Sequence, residues 1–294
     1  MARRRSYDEW LAGLDGFVSG RPLELRVYGT VHGARGAYPL VRLTTRSAGV
    51  GQPTLLVTAG FHGDETAGPM LLTGALPLLL ALLADGDDVA LDIFPCVNPT
   101  GFELGTRYNA RGERPNNELL RYELPDGTGA GELPSPRAPF RRWAPCAPAA
   151  EETRALLAAL EASPPHDAAI DLHQDPSARG PGTYCYHLGP REPLEVAQET
   201  AARIVPVLRD ADVWAGRTDA QGFIEAHDGS VTDYTYRRGA RHAVCVETTT
   251  DTPLQHSLQV YELWMSTMIA LAAGRRRERR LLETLANPFT RGPC

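Results

Sequence analysis

Runs of apolar residues, separated by turn residues, divide the chain into short strands and amphipathic helices. The first sixty residues contain three runs rich in Leu and Val, at 23–29, 38–45 and 54–59, and glycines at 33 and 36 separate the first two. Runs of this length predict strands, and the glycines predict a turn. We therefore expect the chain to begin with a short helix followed by three strands.

Strand and helix patterns then alternate along the rest of the chain. Residues 54–59 lead through a Gly-containing turn into a Leu- and Ala-rich stretch at 69–84, which predicts a buried helix. Further strands are predicted at 89–94, 168–173, 184–188 and 243–247, and further helices at 150–162, 192–209, 228–239 and 253–286. This order is typical of α/β crossovers. The pattern predicts an α/β fold, a single domain with a mixed, mostly parallel twisted sheet and helices on both faces.

One segment, 122–149, breaks the alternation. It contains six prolines and three glycines in 28 residues, a density that predicts a long loop. Long loops inside compact domains are usually functional rims or insertions and less often linkers. One domain over residues 1–294 is therefore favoured over a domain boundary within this loop.

Composition and charge exclude several classes of protein. The chain has 294 residues, 43% hydrophobic and 22% charged, which argues against disordered, collagen-like and coiled-coil proteins. A net charge of −6 argues against nucleic acid as the main partner. The longest apolar run, 69–84, is too short for a membrane span and contains Pro77. We expect neither a nucleic acid partner nor a membrane partner.

The cysteines and the N-terminal segment bear on the compartment. Five scattered cysteines without a CxxC spacing do not form a disulfide framework, which favours a reducing environment. Basic residues at 3–5 are followed by no apolar stretch, so no secretory signal is predicted. The expected location is the cytoplasm.

Candidate metal ligands follow the predicted strands. His62 and Glu65 come just after the strand 54–59, His173 ends another strand, and Glu247 ends a third. Alone, each of these residues is as well explained by a solvated rim position or a helix cap, and a His-x-x-Glu spacing is frequent by chance. Parallel strands, however, gather their carboxyl ends at one edge of the sheet. Two imidazoles and one carboxylate would leave a coordination position of Zn²⁺ open, as catalysis requires, with Glu247 as a separate base.

Several motifs, taken in order, resemble the zinc carboxypeptidase superfamily, which includes carboxypeptidase A-like enzymes and a branch of succinylglutamate desuccinylases and aspartoacylases. The motifs are GFHGDE at 60–65, NPTGF at 98–102, GTRYNARG at 105–112, DLH at 171–173 and VET at 246–248. The likeness extends over most of the chain from about residue 50 to residue 250. It implies the same α/β fold, Zn²⁺ as cofactor, and a peptide or small amide as substrate.

The resemblance also implies roles for individual residues. His62, Glu65 and His173 would bind zinc, and Glu247 would be the general base and proton shuttle. Arg107 would stabilise the oxyanion, for which a fixed guanidinium in a dry site contributes about 3 kcal/mol.

The chain departs from the family pattern where the substrate carboxylate is bound. Asn116 matches the substrate-binding asparagine, but Asn117 stands where the family has an arginine, and an amide supplies no charged bidentate fork. Arg114 stands where the family has an aspartate that orients a ligating histidine, which makes Glu113 the candidate substitute. Arg111 or Arg114 could reach a substrate carboxylate instead.

Acidic residues upstream of the strand 243–247 add a further expectation. In the neighbourhood where the carboxypeptidases have a mobile tyrosine, this chain reads Phe-Ile-Glu-Ala-His and contains Glu225. Glu225 and Asp233 would place negative charge near the pocket, so Glu225 is a candidate for binding a basic or amino-bearing substrate group.

Three functions remain open from the sequence. The segments 98–102 and 246–248 favour a metallocarboxypeptidase that acts on the C-terminal residue of a peptide. The DLH spelling at 171–173 favours an N-acyl amino acid deacylase that uses the same metal and base on a small amide. The departures at 114 and 117 are compatible with a metal-binding domain that has lost catalysis.

Overall fold

A computed structural model describes residues 6–19, 21–45, 51–74, 89–116, 118–214 and 216–286, with side chains described as far as residue 274. Its elements, in chain order, are α1 (Tyr7–Val18), β1 (Leu23–Gly33), β2 (Gly36–Thr45), β3 (Thr54–Ala59), α2 (Ala67–Gly74), β4 (Ala90–Phe94), α3 (Pro99–Leu104), β5 (Leu120–Glu123), β6 (Gly129–Ala130), β7 (Arg142–Pro145), α4 (Glu151–Glu161), β8 (Ala168–Asp175), β9 (Thr183–Leu188), α5 (Glu192–Ala201), β10 (Asp212–Val213), β11 (Gly216–Arg217), β12 (Phe223–Glu225), α6 (Val231–Arg237), β13 (His242–Thr249) and α7 (Leu254–Ala286).

Eight strands form one sheet in the order β1-β2-β4-β3-β8-β13-β9-β12. The four central strands, β4, β3, β8 and β13, are parallel to one another, and β9 is parallel to β12. The pairs β1/β2, β2/β4 and β13/β9 are antiparallel. The predicted fold class, a mixed and mostly parallel sheet of the α/β type, is confirmed. Its predicted extent over residues 1–294 stays a prediction, because both chain ends lie outside the described residues.

Helices cover both faces of this sheet, and the alternation of side chains along the strands explains why. In β3, Val57 packs into a core shared with α1, α2 and α7, whereas Leu56 packs into a second core shared with α4 and α6. In β8, Ile170 packs into the first core and Ala169 into the second. Strands that are buried on both faces are continuously apolar, which is the pattern from which they were predicted.

The segment 122–149 differs from the expected loop. Residues 120–145 contain β5, β6 and β7, which form a small three-stranded antiparallel sheet. Tyr122 is buried and its ring lies 5.1 Å from the ring of Phe140. The prolines lie in the connections and at the end of β7, where a missing N–H removes no bond from the interior of the ladder.

One predicted helix ends earlier in the structure, and part of another lies outside the described residues. The helix predicted at 192–209 ends at Ala201, and Pro206, which lacks a backbone N–H, lies in the part that is not helical. Of the helix predicted at 69–84, residues 75–84 lie outside the described residues. No helix in the described ranges combines the length and the apolar character that crossing a membrane requires.

The turn after β3 packs directly against α3 and the residue that caps it. A Cβ atom on Gly63 would lie 1.9 Å from the carbonyl carbon of Gly101, so only a glycine fits there without a shift of backbone. Asn98 caps α3 and holds the same turn: its backbone N–H donates to the Gly60 carbonyl at 2.9 Å and its side-chain amide to the Phe61 carbonyl at 3.2 Å. The motifs at 60–65 and 98–102 therefore form one structural unit.

Gly63→Ala is expected to lower the free energy of unfolding by about 3 kcal/mol, because the added methyl group meets fixed backbone atoms. Gly13→Ala is the matched control: Gly13 is exposed in α1 and no atom lies within 4 Å of where the new methyl carbon would be, so this change should stabilise by about 0.5–1 kcal/mol. Urea unfolding of both variants measures the difference. Equal stabilities would contradict the close approach of the two turns.

A buried ionic cluster ties β2, β4 and the start of β8 together. One Asp92 carboxylate oxygen accepts from Arg42 Nε at 2.6 Å, and the other accepts from Arg42 Nη2 at 2.8 Å and lies 2.7 Å from His166 Nε2. Burial opposes ionisation of Asp92, but the bonds from His166 and Arg42 outweigh it and hold the pKa of Asp92 below its ordinary value. The carboxylate is therefore ionised and fully paired at neutral pH.

Asp92→Asn should lower stability by about 2–3 kcal/mol at pH 7, because Arg42 and His166 lose a charged acceptor. A depressed pKa in the folded state gives stability that is fully present above the unfolded pKa of about 3.9 and is lost as the pH falls through the folded pKa. The gap between wild type and variant should therefore narrow in urea titrations below about pH 4. Glu24→Gln, which breaks an exposed pair with Arg26, should give no measurable change at either pH.

Candidate active site

The strand register brings polar residues of β3, β8 and β13 together at one edge of the sheet. His173 of β8 lies opposite Glu247 of β13, and Asp171 lies opposite Cys245. On its other side, Asp171 is paired with Thr58 of β3. Because alternate side chains of a strand face the same way, Asp171 and His173 point to one side of the sheet, towards the same pocket.

His62, Glu65 and His173, the predicted metal ligands, converge on one point. The two Glu65 carboxylate oxygens lie 2.7 Å from His62 Nδ1 and 2.8 Å from His173 Nδ1. One candidate ligand atom from each residue lies within 4.8 Å of the others, and the three side chains are at most 4% exposed. This donor set, two imidazole nitrogens and one carboxylate, fits a divalent metal ion with an open coordination position.

The pKa shifts of His62 and Glu65 agree with a ligating role, whereas the shift of His173 favours its protonated form, whose proton a metal ion would have to displace. Burial lowers the pKa of His62 to about 4, which keeps its imidazole neutral and its lone pair free. Burial opposes ionisation of Glu65, but His173 and His62 outweigh it, and the pKa of Glu65 lies below its ordinary value. The pKa of His173 is raised against the effect of burial by the charges of Asp171 and Glu65.

The Nε2 atoms of the two histidines differ in their hydrogen-bond partners. His173 Nε2 lies 2.8 Å from a buried Asp171 oxygen, an arrangement that fixes the orientation of the ring. His62 Nε2 is buried and has no hydrogen-bond partner among the described residues. Glu113, the candidate substitute for the missing aspartate, instead accepts from the side-chain amide of Asn109 at 2.9 Å.

Arg107 reaches the same point from the loop after α3. Its Nη1 donates to Glu65 Oε1 at 2.7 Å, and its guanidinium carbon lies 4.6 Å from the centre of the Trp214 ring. The Nε of Arg107 is buried without a hydrogen-bond partner in the described structure. Arg107 is thus held on two sides while one N–H remains available to a bound group.

Glu247 lies beside the candidate ligands without a hydrogen bond to them. Its Oε2 is buried and has no partner among the described residues, and its Oε1 lies 3.9 Å from the sulfur of Cys245. Burial raises the pKa of Glu247 well above its ordinary value, and the charge of Glu65 adds to this, whereas His173 opposes it. A buried carboxylate with an open oxygen is suited to exchange a proton with a bound molecule.

Of the four predicted substrate-binding residues, one lines the pocket of the histidines. Asn116 lines the pocket that contains the two histidines. Arg111 is about half exposed and pairs with Glu151 at 2.9 Å, outside that lining. Glu225 is also about half exposed and lines the adjoining pocket. Asn117 lies outside the described residues.

Sequence reasoning did not find all the residues that the pocket contains. Asp175 lies two positions beyond His173 on the same face of β8, a signal that was missed because the predicted strand ended at residue 173. Tyr186 faces the pocket from β9, opposite Cys245. Trp214 sits between the two-residue strands β10 and β11, which no periodic pattern could reveal.

Solved structures with the same fold are known. A proposed metallopeptidase from Shewanella amazonensis is 26% identical, with 90% of this chain and 92% of that chain covered and a TM-score of 0.67. A metallo-carboxypeptidase from Burkholderia cenocepacia is 17% identical, with 91% and 69% covered and a TM-score of 0.61. Bovine thrombin-activatable fibrinolysis inhibitor, in complex with a tick carboxypeptidase inhibitor, is 14% identical, with 93% and 98% covered and a TM-score of 0.60. The last two likenesses show the fold alone.

No curated protein sequence matches this chain significantly. A family model does: residues 51–259 match the succinylglutamate desuccinylase/aspartoacylase catalytic domain. That span contains His62, Glu65, Arg107, His173 and Glu247. With the carboxypeptidase-like fold it confirms the resemblance to the zinc carboxypeptidase superfamily, whose members are hydrolytic enzymes. The chain therefore belongs to the succinylglutamate desuccinylase/aspartoacylase family.

Proposed function

We propose that this protein is a zinc-dependent hydrolase that cleaves an amide bond, acting as a metallocarboxypeptidase on the C-terminal residue of a peptide. The observation that supports it most directly is the convergence of the two imidazoles and the carboxylate within 4.8 Å, at most 4% exposed. Such a set fits the open, catalytic type of zinc site and not the closed, structural type.

Three residues would hold the metal, and two others would act on the substrate. A zinc ion held by His62, Glu65 and His173 would supply Lewis acidity to a water molecule and to the substrate carbonyl. Glu247, with its open Oε2, takes the proton of the attacking water and returns it to the leaving amine. Arg107 donates its free Nε–H to the oxyanion, and its contacts with Glu65 and Trp214 hold the guanidinium in place beforehand.

A second pocket beside the candidate ligands supports a peptide substrate. The pocket that contains the histidines shares five lining residues with it: Arg114, Tyr186, Trp214, Ala226 and Asp228. Residues 131–136, in the connection between β6 and β7, line this second pocket. This adjoining pocket could hold residues on the N-terminal side of the scissile bond, which a small acyl group does not have.

A deacylase of N-acyl amino acids is the second candidate, and the match to the family model supports it. The same metal, base and arginine would serve, because both reactions hydrolyse an amide bond.

Replacing Glu247 by Gln should lower kcat by about 10²–10⁴-fold, because an amide does not accept the proton of the attacking water. Zinc content should stay near that of wild type, because Glu247 is not among the ligands, whereas His173→Ala should lower it. Metal analysis and rate measurements on the purified variants check both points. Glu199→Gln, an exposed change far from the pocket, is the control. Undiminished hydrolysis by the Glu247→Gln variant would remove Glu247 from its proposed role.

A substrate panel should separate the two candidate reactions. We expect release of the C-terminal residue from N-blocked tripeptides at higher kcat/KM than hydrolysis of N-acetyl or N-succinyl amino acids, measured by mass spectrometry of the products. The reverse order would favour the deacylase. Failure on both sets by a chain that is fully loaded with zinc would favour the third possibility, a metal-binding domain without catalysis.

A further inference from the structure

Carboxylate recognition is the part of the proposed function that the sequence leaves without an obvious residue. The family's arginine is replaced by Asn117, and an amide is a poor partner for a carboxylate. Either Arg111 or Arg114 could compensate from the same loop. The structure distinguishes between them.

The three arginines of this region have different partners. Arg107 donates to Glu65 at 2.7 Å, and Arg111 pairs with Glu151 at 2.9 Å on the surface. Arg114 is partly buried and forms no hydrogen bond or ion pair with any described residue, and its Nε is fully buried. Arg114 is therefore the arginine of this group whose fork of N–H donors is available.

Arg114 also lies where a substrate passes. It lines the pocket of the candidate metal ligands and the adjoining pocket, together with Trp214 and Asp228. Arg111 lines neither of them. Arg114 therefore borders the space beside the candidate ligands in which the C-terminal residue would lie.

The charge balance at Arg114 calls for an anion. Burial and repulsion from Arg107 both lower the pKa of Arg114 from its ordinary value, yet an arginine remains protonated at neutral pH. Glu65 and Asp228 act on it at a distance but form no ion pair with it. A partly buried cation without a partner is unfavourable, and a bound carboxylate would relieve that cost through two charge-assisted hydrogen bonds.

We propose that Arg114 binds the free carboxylate of the substrate and so restricts the enzyme to amides whose leaving amine bears a carboxylate. This inference rests on the proposed function. It assigns the recognition of the carboxylate to a residue that stands elsewhere in the loop than the family's arginine, at a position where the family has an aspartate. Arg114 is a specificity-determining residue, because its contact is with the substrate's carboxylate and not with the reacting atoms.

Binding to the zinc-loaded Glu247→Gln protein tests the proposal without turnover. The probes are N-acetyl dipeptides ending in Phe, Leu, Lys or Asp, each as the free acid and as the C-terminal amide, with Kd measured by calorimetry. In the Glu247→Gln background at least one acid should bind about 10–100-fold more tightly than its amide, the range for one charge-assisted contact. Adding Arg114→Gln should reduce that ratio to near one, mainly by raising the Kd of the free-acid peptide.

Matched variants separate this role from a general loss of structure. Arg114→Lys keeps the charge without the fork and should keep part of the preference for acids. Arg121→Gln, an exposed change on β5 outside both pockets, should leave the ratio unchanged. Arg111→Gln should also leave it unchanged, because Arg111 is engaged with Glu151 on the surface.

Three results would overturn the proposal: equal binding of acids and amides before Arg114 is changed, a preference that survives Arg114→Gln, or a preference abolished by Arg111→Gln instead. The test is independent of the proposed function, because it measures binding. A protein that hydrolyses no amide but loses its preference for acids on Arg114→Gln would contradict the hydrolase and retain the carboxylate site. A protein that hydrolyses peptide acids and peptide amides equally well would support the hydrolase and contradict the carboxylate site.

Discussion

The parallel register of β8 against β13 is the constraint on which the candidate site depends. It places Glu247 directly beside His173, and a slip of one residue would turn one of these side chains to the opposite face. The register is fixed because both faces of the central strands are buried, with Ile170 in one core and Ala169 in the other. The same packing that stabilises the sheet therefore sets the distance between Glu247 and the candidate ligand His173.

A concentration of charge in a buried place is the second property of the site. Glu65 lies between two imidazoles and also accepts from Arg107, so its carboxylate is surrounded by donors on all sides. Burying these groups is costly unless each is paired, and their mutual contacts provide the pairing. Glu247 and Arg107 are among the exceptions: Oε2 of Glu247 and Nε of Arg107 are buried and have no hydrogen-bond partner among the described residues. The groups that are paired hold the geometry, and the unpaired ones face the space where a substrate would bind.

The loop between α3 and β5 connects the scaffold to the specificity of the pocket. The helix before it, α3, is held against the turn that carries His62 and Glu65 by the close approach of Gly63 to Gly101, which leaves no room for a side chain on Gly63. Further along, Arg107, Arg114 and Asn116 line the pocket. This loop can therefore vary in sequence at the pocket while α3 holds the turn of His62 and Glu65 in place, which is the usual division between a rigid framework and a functional loop.

By itself, the sequence determined the α/β class, the central strands and the residues that meet at their carboxyl edge, because apolar periodicity is local and parallel strands end at one edge. It failed where structure depends on distant contacts. The strands in 120–145 lack a strong period and form by pairing with one another, and Trp214 reaches Arg107 from a two-strand turn. Tertiary structure alone decided between Arg111 and Arg114, since the availability of a guanidinium depends on which acid lies beside it, and Glu151 lies beside Arg111.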